Sequence, residues 1–540
     1  MNTYEYWLSL GEDMKTELES IKDPAELEDR FYRELAFGTG GMRGIMGAGP
    51  NRMNKYIIAK ATSGLADMLL DKNCGGKGVA IAYDSRNNSA LFARTAAGVL
   101  AAKGIKAYLF TSIMPTPVLS FAVRHLRCAA GIVITASHNP KEYNGYKVYN
   151  ADGCQLVPHE AKELTGYIAA VTDIAGIKTA SDEEAGELIV PIGDDVLDLF
   201  ISEVKKLSLY GESSSLRIVY TPLHGTGNIP VRRALAGRDV VIAEKQEMPD
   251  GNFSTVRSPN PEEKDALLIA IEKAKETGAD IVIGTDPDCD RVGVAVRNGS
   301  DFALLTGNQT GALLLDFIMK FRHYSAEDKP AVVTTIVTGS LGCAVAKKHG
   351  LEVFETLTGF KYIGEKIGEW ERTGEHTYVF GYEESYGYLA GTFARDKDAV
   401  SSSMLIAEMA AYYKNRGETL LDALDRLYKE HGYFGDYLET VVLKGKDGAE
   451  KIQSAMSAIR DKGKAIFADC SAFYDYSRGI GTLPKENALK FVFDDGSWAA
   501  VRPSGTEPKL KLYFSVRGEN KQSADERINE IKSKLMDYVG

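Results

Sequence analysis

The sequence predicts an α/β protein with three related α/β domains and a smaller C-terminal α+β domain. Two observations support this prediction. Short apolar runs alternate with helical patterns in three successive blocks, and the C-terminal part of the chain follows a different pattern. The length of 540 residues agrees with several domains of roughly 150 residues each. The predicted domains are 1–207, 208–305, 306–432 and 433–540.

Each of the first three blocks contains three apolar runs that are typical of buried parallel strands. Segments with helical spacing separate the runs, for example 89–103, 229–236 and 263–275. This order predicts βαβ units and mostly parallel sheets. The predicted strands are 79–83, 106–110, 131–135, 217–220, 239–243, 280–284, 331–337, 351–355 and 377–382.

The third predicted strand of each block ends in a loop that carries polar side chains, as in GIVITASHNP, DIVIGTDPDCD and TYVFGYEES. This shared order indicates an internal repeat, although the identity among the three segments is low. Ligands of open α/β sheets bind outside the carboxyl ends of the strands. We therefore expect the chemistry of the protein at these three loops.

The C-terminal block predicts strands around a helix near 448–462, followed by a closing helix. Ser523 and Glu526 have the spacing of a capping box for that last helix. Its apolar stripe consists of Ile528, Ile531 and Leu535.

The composition excludes several classes of protein. Lys and Arg number 64 against 75 Asp and Glu, which gives a formal charge of −11 and argues against a general nucleic-acid binder. The sequence shows neither a signal peptide nor an apolar run long enough to span a membrane, so no membrane partner is expected. The six cysteines lack metal-ligand spacing and favour reduced thiols in a cytoplasmic protein.

The first candidate site is the loop Thr135–Pro140, followed by the segment Asn144–Lys147. Ser137 comes just after a buried strand and before Pro140, which predicts a defined, exposed position. A serine hydroxyl is a weak nucleophile and needs a base, a metal or prior modification. A serine in a turn beside an Asn-Pro pair is the structural alternative, and His138 on its own is more often a structural hydrogen-bonding residue.

The second candidate site contains Asp286, Asp288 and Asp290 at alternate positions after an apolar strand, followed by Arg291. Three carboxylates whose oxygens converge are too few for Ca²⁺ and suit Mg²⁺, which retains positions for water or phosphate. Without a cation, these carboxylates would repel one another. A solvated, Asp-rich turn is the alternative.

The third and fourth candidate sites are the loops 381–387 and 502–509. Glu383 and Ser385 present a carboxylate and a hydroxyl that suit sugar hydroxyls, and a capped turn is the structural alternative. In the fourth loop Arg502 offers a bidentate donor for phosphate. Three residues complete this phosphate cradle, for which a basic β-turn is the alternative: Ser504, Gly505 and Thr506.

A fifth, glycine-rich region spans 38–44 and includes Arg43. Its glycines fit either a mobile loop that faces a phosphate or a simple surface turn. The spacing does not match a dinucleotide-binding fingerprint, which also requires a preceding strand.

The four loops occur in an order that resembles the α-D-phosphohexomutase superfamily: a serine loop, an Asp-x-Asp-x-Asp loop, a Glu-x-Ser loop and an Arg-x-Ser-Gly-Thr loop. The segments GYEESYG and RPSGTEPKLKLY resemble its phosphoglucomutase branch, which also contains phosphopentomutase and glucose-1,6-bisphosphate synthase relatives. Gly387 stands where other branches of the superfamily place a histidine. The resemblance implies four domains around a central cleft, the first three with related mixed sheets.

The resemblance also implies a mechanism. Ser137 would be carried as a phosphoserine whose phosphate completes the coordination of one Mg²⁺ by the three aspartates. His138 and Lys147 would act with Ser137 at the catalytic centre. The substrate would be held by Arg43, Arg291, Gly359, Lys361, Glu383, Ser385, Arg502, Ser504, Gly505 and Thr506.

The implied reaction is the interconversion of glucose 1-phosphate and glucose 6-phosphate through glucose 1,6-bisphosphate, which would also serve as activator. The alternatives are phosphomannomutase, phosphopentomutase or sugar-bisphosphate synthase activity, a metal-dependent phosphatase, and a non-catalytic phosphosugar-binding protein. Beyond the phosphosugar, the expected assembly is a monomer or a weak homodimer.

Overall fold

A computed structural model describes residues 3–38, 40–443, 445–504 and 509–539. The first sheet has six strands in the order β1-β5-β4-β2-β3-β6. Its strands are β1 (Gly41–Ile45), β2 (Val79–Tyr83), β3 (Ala107–Phe110), β4 (Ala130–Ile134), β5 (Tyr143–Asn150) and β6 (Ile189–Ile192). The helices of this part are α1 (Thr3–Ser9), α2 (Glu12–Ser20), α3 (Pro24–Phe31), α4 (Lys55–Asp71), α5 (Ser89–Ala102), α6 (Thr116–His125), α7 (Pro158–Ala170), α8 (Asp182–Ala185) and α9 (Asp194–Lys206).

The second sheet has the order β11-β10-β9-β7-β8 and the third the order β13-β12-β14-β15. The second is formed by β7 (Arg217–Thr221), β8 (Asp239–Ile242), β9 (Ile281–Thr285), β10 (Val292–Asn298) and β11 (Asp301–Leu305), with α10 (Asn228–Ala234) and α11 (Lys264–Thr277). The third is formed by β12 (Pro330–Thr335), β13 (Glu352–Thr356), β14 (Thr377–Glu383) and β15 (Gly387–Leu389), with α12 (Gly307–Phe321), α13 (Ser340–Lys348), α14 (Phe360–Thr373), α15 (Ala399–Lys414) and α16 (Leu420–His431).

The fourth sheet is antiparallel and has the order β16-β20-β19-β18-β17. Its strands are β16 (Tyr433–Val442), β17 (Cys470–Asp475), β18 (Leu489–Phe493), β19 (Trp498–Pro503) and β20 (Lys509–Gly518), and its helices are α17 (Gly445–Lys462) and α18 (Lys521–Met536). The chain therefore has the predicted α/β class with a distinct C-terminal α+β part.

The first three sheets share one topology. In each, the central strand (β2, β7 or β12) pairs in parallel with the two strands that follow it in the chain. The second of these outer strands (β4, β9 or β14) then pairs with an antiparallel strand (β5, β10 or β15). The three predicted blocks thus correspond to a repeated structural unit, and each sheet is mixed rather than wholly parallel.

The family resemblance implies mixed sheets, but the strands predicted from local patterns do not include the antiparallel strands β5, β10 and β15. β15 has only three residues, and β5 has a polar sequence, YNGYKVYN, that lacks the continuous apolar run of a buried parallel strand. These strands form because their backbones complete the hydrogen bonding at the edge of the preceding parallel strand.

Two local predictions differ from the structure. Strand β1 takes in residues 41–44 of the glycine-rich region, which therefore do not form a loop. Gly41 permits the pairing with β5, because a Cβ atom at this position would lie 2.5 Å from the Tyr146 carbonyl oxygen. Helix α18 is capped by Asn520, whose Oδ1 accepts the Ser523 amide at 3.0 Å, so Ser523 is the third helical residue rather than the cap.

Apolar packing joins the first three α/β units. The rings of Phe121, Phe200 and Phe393 meet edge to face with centroid distances of 5.5–6.3 Å, and they come from the first and third units. The fourth sheet has a core of its own and contacts the third unit through a smaller cluster that includes Tyr362 and Trp498. No helix among the described residues combines the length and apolar content needed to cross a membrane.

Candidate functional site

The repeated topology places three loops at equivalent positions, between the last parallel strand and the antiparallel strand of each unit. They are 135–142 after β4, 286–291 after β9 and 384–386 after β14. These loops leave the carboxyl ends of the parallel strands, where open α/β sheets bind ligands. The structure brings the first two into direct contact.

Ser137 lies at the centre of this contact. Its Oγ donates a hydrogen bond to Asp286 Oδ2 at 2.7 Å and lies 3.1 Å from His138 Nδ1. The side chain is only 3% exposed, so the predicted exposed position is wrong. The reason is that the aspartate loop of the second unit covers the hydroxyl. Bulk water therefore has little access to this oxygen.

The three aspartates of the second loop are buried and converge. One oxygen of each carboxylate lies within 4.8 Å of the others. Asp286 Oδ1 accepts the backbone amides of Asp290 and Arg291 at 3.1 and 2.9 Å. Asp288 Oδ2 accepts Thr116 Oγ1 at 3.1 Å and Lys147 Nζ at 2.9 Å. The protein thus fixes the orientation of these carboxylates.

Two carboxylate oxygens of the cluster take no part in these hydrogen bonds. Asp288 Oδ1 and Asp290 Oδ1 are buried and find no hydrogen-bond partner among the described residues. A buried carboxylate oxygen without a partner is costly. Two such oxygens beside a third carboxylate form the kind of hard donor set that binds Mg²⁺. The residues present therefore fit a divalent cation.

The electrostatics of the cluster agree with this interpretation. Burial and then the carboxylates of Asp288 and Asp290 raise the pKa of Asp286 well above its usual value. Burial also acts on Asp288, but the Lys147 ammonium outweighs it and brings the pKa of Asp288 below its usual value. A cation at the two oxygens that lack a hydrogen-bond partner would favour the ionised form of all three groups.

Two lysines flank the cluster. Lys147 Nζ lies 2.9 Å from Asp288 Oδ2 and 3.7 Å from Asp290 Oδ2. Lys397 Nζ lies 3.2 Å from Asp290 Oδ2 and 3.0 Å from Asp396 Oδ1. Burial alone would lower both lysine pKa values, but the facing carboxylates outweigh it and raise them. Both side chains are therefore ammonium ions at neutral pH.

Lys397 is a site residue that no sequence motif predicted. Its aliphatic stem passes directly over Gly387, where a Cβ atom would overlap the Lys397 Cδ. Gly387, which stands where other branches of the superfamily have a histidine, therefore provides the space that Lys397 needs. The signal in the sequence is the run of four charged residues, Arg395–Asp398, directly before an apolar helix. In the structure Arg395, Asp396 and Asp398 are buried, and buried charged residues are normally paired.

Arg291, His138 and Arg43 lie at the junction of the first two loops. Arg291 forms an ion pair with Glu262 and lies 3.8 Å from Asp290 Oδ1. Arg43 Nη1 donates to Asn139 Oδ1 at 2.7 Å. Burial, followed by the charges of Arg291 and Arg43, brings the pKa of His138 well below its usual value. The imidazole is therefore neutral at pH 7.

The Glu-x-Ser loop is connected to the loop that precedes α14. Glu383 Oε1 accepts the Gly359 amide at 2.8 Å, so the structure brings these two predicted residues together. Gly359 has a positive φ of 116°, a conformation that suits glycine. Ser385 is half-buried in the turn after β14. Burial raises the pKa of Glu383. Burial, together with the neighbouring Glu383 carboxylate, raises the pKa of Glu384 to about 8.

Lys361 lies in the first turn of α14 and is 7% exposed. Burial lowers its pKa to about 8, although Glu486 acts in the opposite direction. The charges of Glu383 and Arg502 also act on this ammonium. Lys361 therefore stands between the third loop and the fourth sheet.

The fourth loop is the hairpin between β19 and β20, in which Arg502 pairs with Lys511 across the strands. Arg502 Nε forms an ion pair with Glu486, and the Ser504 amide donates to the Lys509 carbonyl at 2.8 Å. Gly505 and Thr506, the other two predicted cradle residues, lie outside the described residues.

Family models match most of the chain. The phosphoglucomutase/phosphomannomutase models of alpha/beta/alpha domains I, II and III match residues 34–174, 198–299 and 306–431. The model of the C-terminal domain of the same family matches residues 441–532.

Individual relatives agree with the family models. A phosphoglucomutase of Staphylococcus haemolyticus is 39% identical over 93% of this chain and 94% of its own length. A phosphoglucomutase of Staphylococcus aureus is 37% identical over 98% of both chains. Among solved structures, the Paramecium phosphoprotein pp63/parafusin, itself a phosphoglucomutase, matches with a TM-score of 0.71 at 18% identity, covering 94% of this chain and 95% of that one.

Proposed function

This chain belongs to the phosphoglucomutase/phosphomannomutase family, and we propose that it interconverts glucose 1-phosphate and glucose 6-phosphate through a phosphoserine enzyme. The relatives of 37–39% identity, which match it over almost their full length, are phosphoglucomutases. The chain is thus an enzyme of the phosphotransferase isomerase type.

The observation that supports this proposal most directly is the contact between Ser137 Oγ and Asp286 Oδ2 at 2.7 Å. It joins a hydroxyl that can carry a phosphoryl group to a cluster of carboxylates that can hold a divalent cation. A phosphosugar-binding protein without catalytic activity would not need this contact.

In the proposed reaction, phosphorylated Ser137 donates its phosphoryl group to the free hydroxyl of glucose 1-phosphate. A P–O bond to the sugar forms, the P–Oγ bond breaks, and the hydroxyl loses its proton while Ser137 Oγ gains one. The resulting glucose 1,6-bisphosphate turns over in the cleft and returns its other phosphoryl group to Ser137. Free glucose 1,6-bisphosphate restores the phosphoserine when it is lost, which makes it the activator.

We propose that Asp286, Asp288, Asp290 and the phosphate on Ser137 hold one Mg²⁺ per chain. When bound, this ion neutralises charge that develops on the transferred phosphoryl group, which is the main electrostatic contribution to a loose phosphoryl-transfer transition state. Lys147 fixes Asp288 and adds positive charge beside the cluster. His138, which is neutral, places Nδ1 3.1 Å from Ser137 Oγ.

The remaining predicted residues are assigned to the substrate. Glu383 and Ser385 would bind ring hydroxyls that are common to both orientations of the sugar. The phosphate that is not being transferred would be bound by the cradle of Arg502, Ser504, Gly505 and Thr506, and the Lys361 ammonium beside Arg502 would add positive charge for it. Arg43, Arg291 and Gly359 would provide further contacts to the substrate.

The proposal also includes the assembly and the location of the enzyme. The domains are 1–207, 208–305, 306–432 and 433–540, and the enzyme is a monomer or weak homodimer. It acts in the cytoplasm on a small phosphosugar. The cysteines support a reducing compartment, because all six are free thiols.

Turnover of glucose 1-phosphate, mannose 1-phosphate and ribose 1-phosphate, measured side by side with Mg²⁺ and the matching bisphosphate, tests the proposal. We expect glucose 1-phosphate to have the highest kcat/KM, with glucose 6-phosphate as product. A preference for mannose or ribose phosphate would move the enzyme to another branch of the family. Release of inorganic phosphate without isomer formation would contradict mutase activity.

A further inference from the structure

The loop after β2 packs against the side of the serine loop that faces away from the aspartates. It contains Asp84 and Arg86, which are 1% and 3% exposed. Strands β2 and β4 are parallel neighbours with Tyr83 opposite Ile134, so the residues that follow the two strands lie side by side. The Asp84 amide donates to the Ile134 carbonyl at 3.1 Å, which continues this pairing past the strand ends.

Asp84 holds the backbone amide of Ser137 through the hydroxyl of Thr135. Thr135 Oγ1 donates to Asp84 Oδ2 at 2.6 Å and accepts the Ser137 amide at 2.8 Å. The other carboxylate oxygen, Oδ1, accepts Ser89 Oγ at 2.7 Å and the Arg86 amide at 3.0 Å. The carboxylate is therefore fully engaged in holding the two loops together.

Arg86 fixes the carbonyl side of the same residue. Its Nη2 donates to the Ser137 carbonyl at 2.5 Å and to the Asn139 carbonyl, while Nη1 donates to the Pro140 and Tyr143 carbonyls at 2.9 and 3.0 Å. The guanidinium carbon lies 4.9 Å from the centre of the Phe253 ring, which belongs to the second unit. One side chain thus binds four carbonyl oxygens, three from the serine loop and one from the first residue of β5.

Asp84 and Arg86, which hold the two sides of Ser137, also contact each other. Arg86 Nε lies 3.3 Å from Asp84 Oδ2, so the groups that hold the amide and the carbonyl of Ser137 are themselves an ion pair. Ser137 has a φ of +53°, a left-handed conformation that costs a residue with a side chain roughly 1–2 kcal/mol. Such a conformation persists only where the surroundings impose it.

We propose that Asp84 and Arg86 are positioning residues for phosphoryl transfer, which hold Ser137 in its left-handed conformation so that Oγ faces Asp286. This inference rests on the proposed function. A lysine at position 86 would keep the positive charge but not the planar fork of donors that reaches four carbonyls. Geometry, rather than charge, is therefore the property that the reaction requires at this position.

Arg86→Lys tests the inference against Arg297→Lys as a matched control. Arg297 also donates to two backbone carbonyls, at 2.8 and 3.0 Å, and its guanidinium lies 4.9 Å from the centre of the Phe302 ring, but it lies in the second unit outside the site. We expect Arg86→Lys to lower kcat about 100-fold, because a misplacement of about 1 Å has an effect of this size, while KM changes less than about threefold. Arg297→Lys should lower the unfolding temperature comparably and leave kcat unchanged.

Thr135→Val provides a second variant that leaves Arg86 in place. It removes the hydroxyl between Asp84 Oδ2 and the Ser137 amide with little change in shape, and it should also lower kcat more than KM. A wild-type kcat in both Arg86→Lys and Thr135→Val would overturn the inference, as would an equal loss of kcat in Arg297→Lys. If the wild-type protein itself interconverts no sugar phosphate, the proposed function fails instead.

Discussion

Lys361→Arg is expected to remove an alkaline fall in the kcat/KM of this enzyme. Lys361 is proposed to bind the phosphate of the substrate as an ammonium ion. Burial lowers its pKa from 10.5 to about 8 in the free enzyme, so the side chain loses its charge over the range in which most lysines keep theirs. The guanidinium of arginine stays protonated throughout this range.

The expected fall in kcat/KM can be calculated from the lowered pKa of Lys361. With a pKa of about 8, roughly one Lys361 side chain in eleven is charged at pH 9, compared with about ten in eleven at pH 7. Because kcat/KM reports the pKa values of the free enzyme, it should fall about tenfold between these two pH values. A bound phosphate dianion favours the charged form of Lys361, so kcat at saturating substrate should change much less.

The assay is the formation of glucose 6-phosphate from glucose 1-phosphate at constant ionic strength, with saturating Mg²⁺ and glucose 1,6-bisphosphate, between pH 6.5 and 9.5. Lys366→Arg is the matched control. Lys366 lies in the same helix, where its Nζ pairs with Glu369 at 2.7 Å outside the site. This variant should keep the alkaline fall of the wild type, whereas Lys361→Arg should lose it.

Glu384 titrates in the same pH range, so a variant of Glu384 can refute the reasoning about Lys361. Burial and Glu383 raise the pKa of Glu384 to about 8 as well. Glu384 is not among the residues assigned to the substrate, so its ionisation is the alternative explanation of an alkaline fall. If Lys361→Arg keeps the fall and Glu384→Gln abolishes it, the reasoning about Lys361 is wrong. A flat wild-type profile up to pH 9.5 would refute it as well.

Further predictions address the nucleophile, the cation, the cradle and the core. Ser137→Ala should abolish turnover and, by intact-mass measurement, acquire no phosphoryl group; undiminished turnover would refute the nucleophile assignment. Treatment with EDTA should abolish turnover, and added Mg²⁺ should restore it; activity that survives chelation would contradict the metal assignment. Arg502→Ala should raise KM while Ser137 still becomes phosphorylated, and an unchanged KM would count against the cradle. Phe200→Ala should lower the free energy of unfolding by about 3–5 kcal/mol in urea, and a loss below about 1 kcal/mol would contradict the packing of the first and third units.

Much of the fold was predictable because it depends on local patterns. The buried strands β2, β4 and β9 are continuous apolar runs, and the loops that follow them carry polar side chains at the carboxyl ends of the strands. The repeated order of strands and helices indicated three related units before any contact was known.

The remaining features depend on contacts between distant segments. The burial of Ser137 arises because a loop about 150 residues away in the chain covers it, and no local pattern carries that information. Lys397 fits only because Gly387 leaves space beside it. The proposed role of Arg86 depends on four backbone carbonyls, more than 50 residues away in the chain, that only the folded structure brings to its guanidinium.

Transfer of a labelled phosphoryl group through Ser137 tests the central claim most directly. The protein is incubated with glucose 1,6-bisphosphate labelled in its phosphates, freed of unbound sugar, and mixed with unlabelled glucose 1-phosphate for a single turnover. The account predicts that the label is first found on Ser137 by peptide mass spectrometry and then appears in glucose bisphosphate and glucose 6-phosphate. Label on another residue, or label released only as inorganic phosphate, would contradict it.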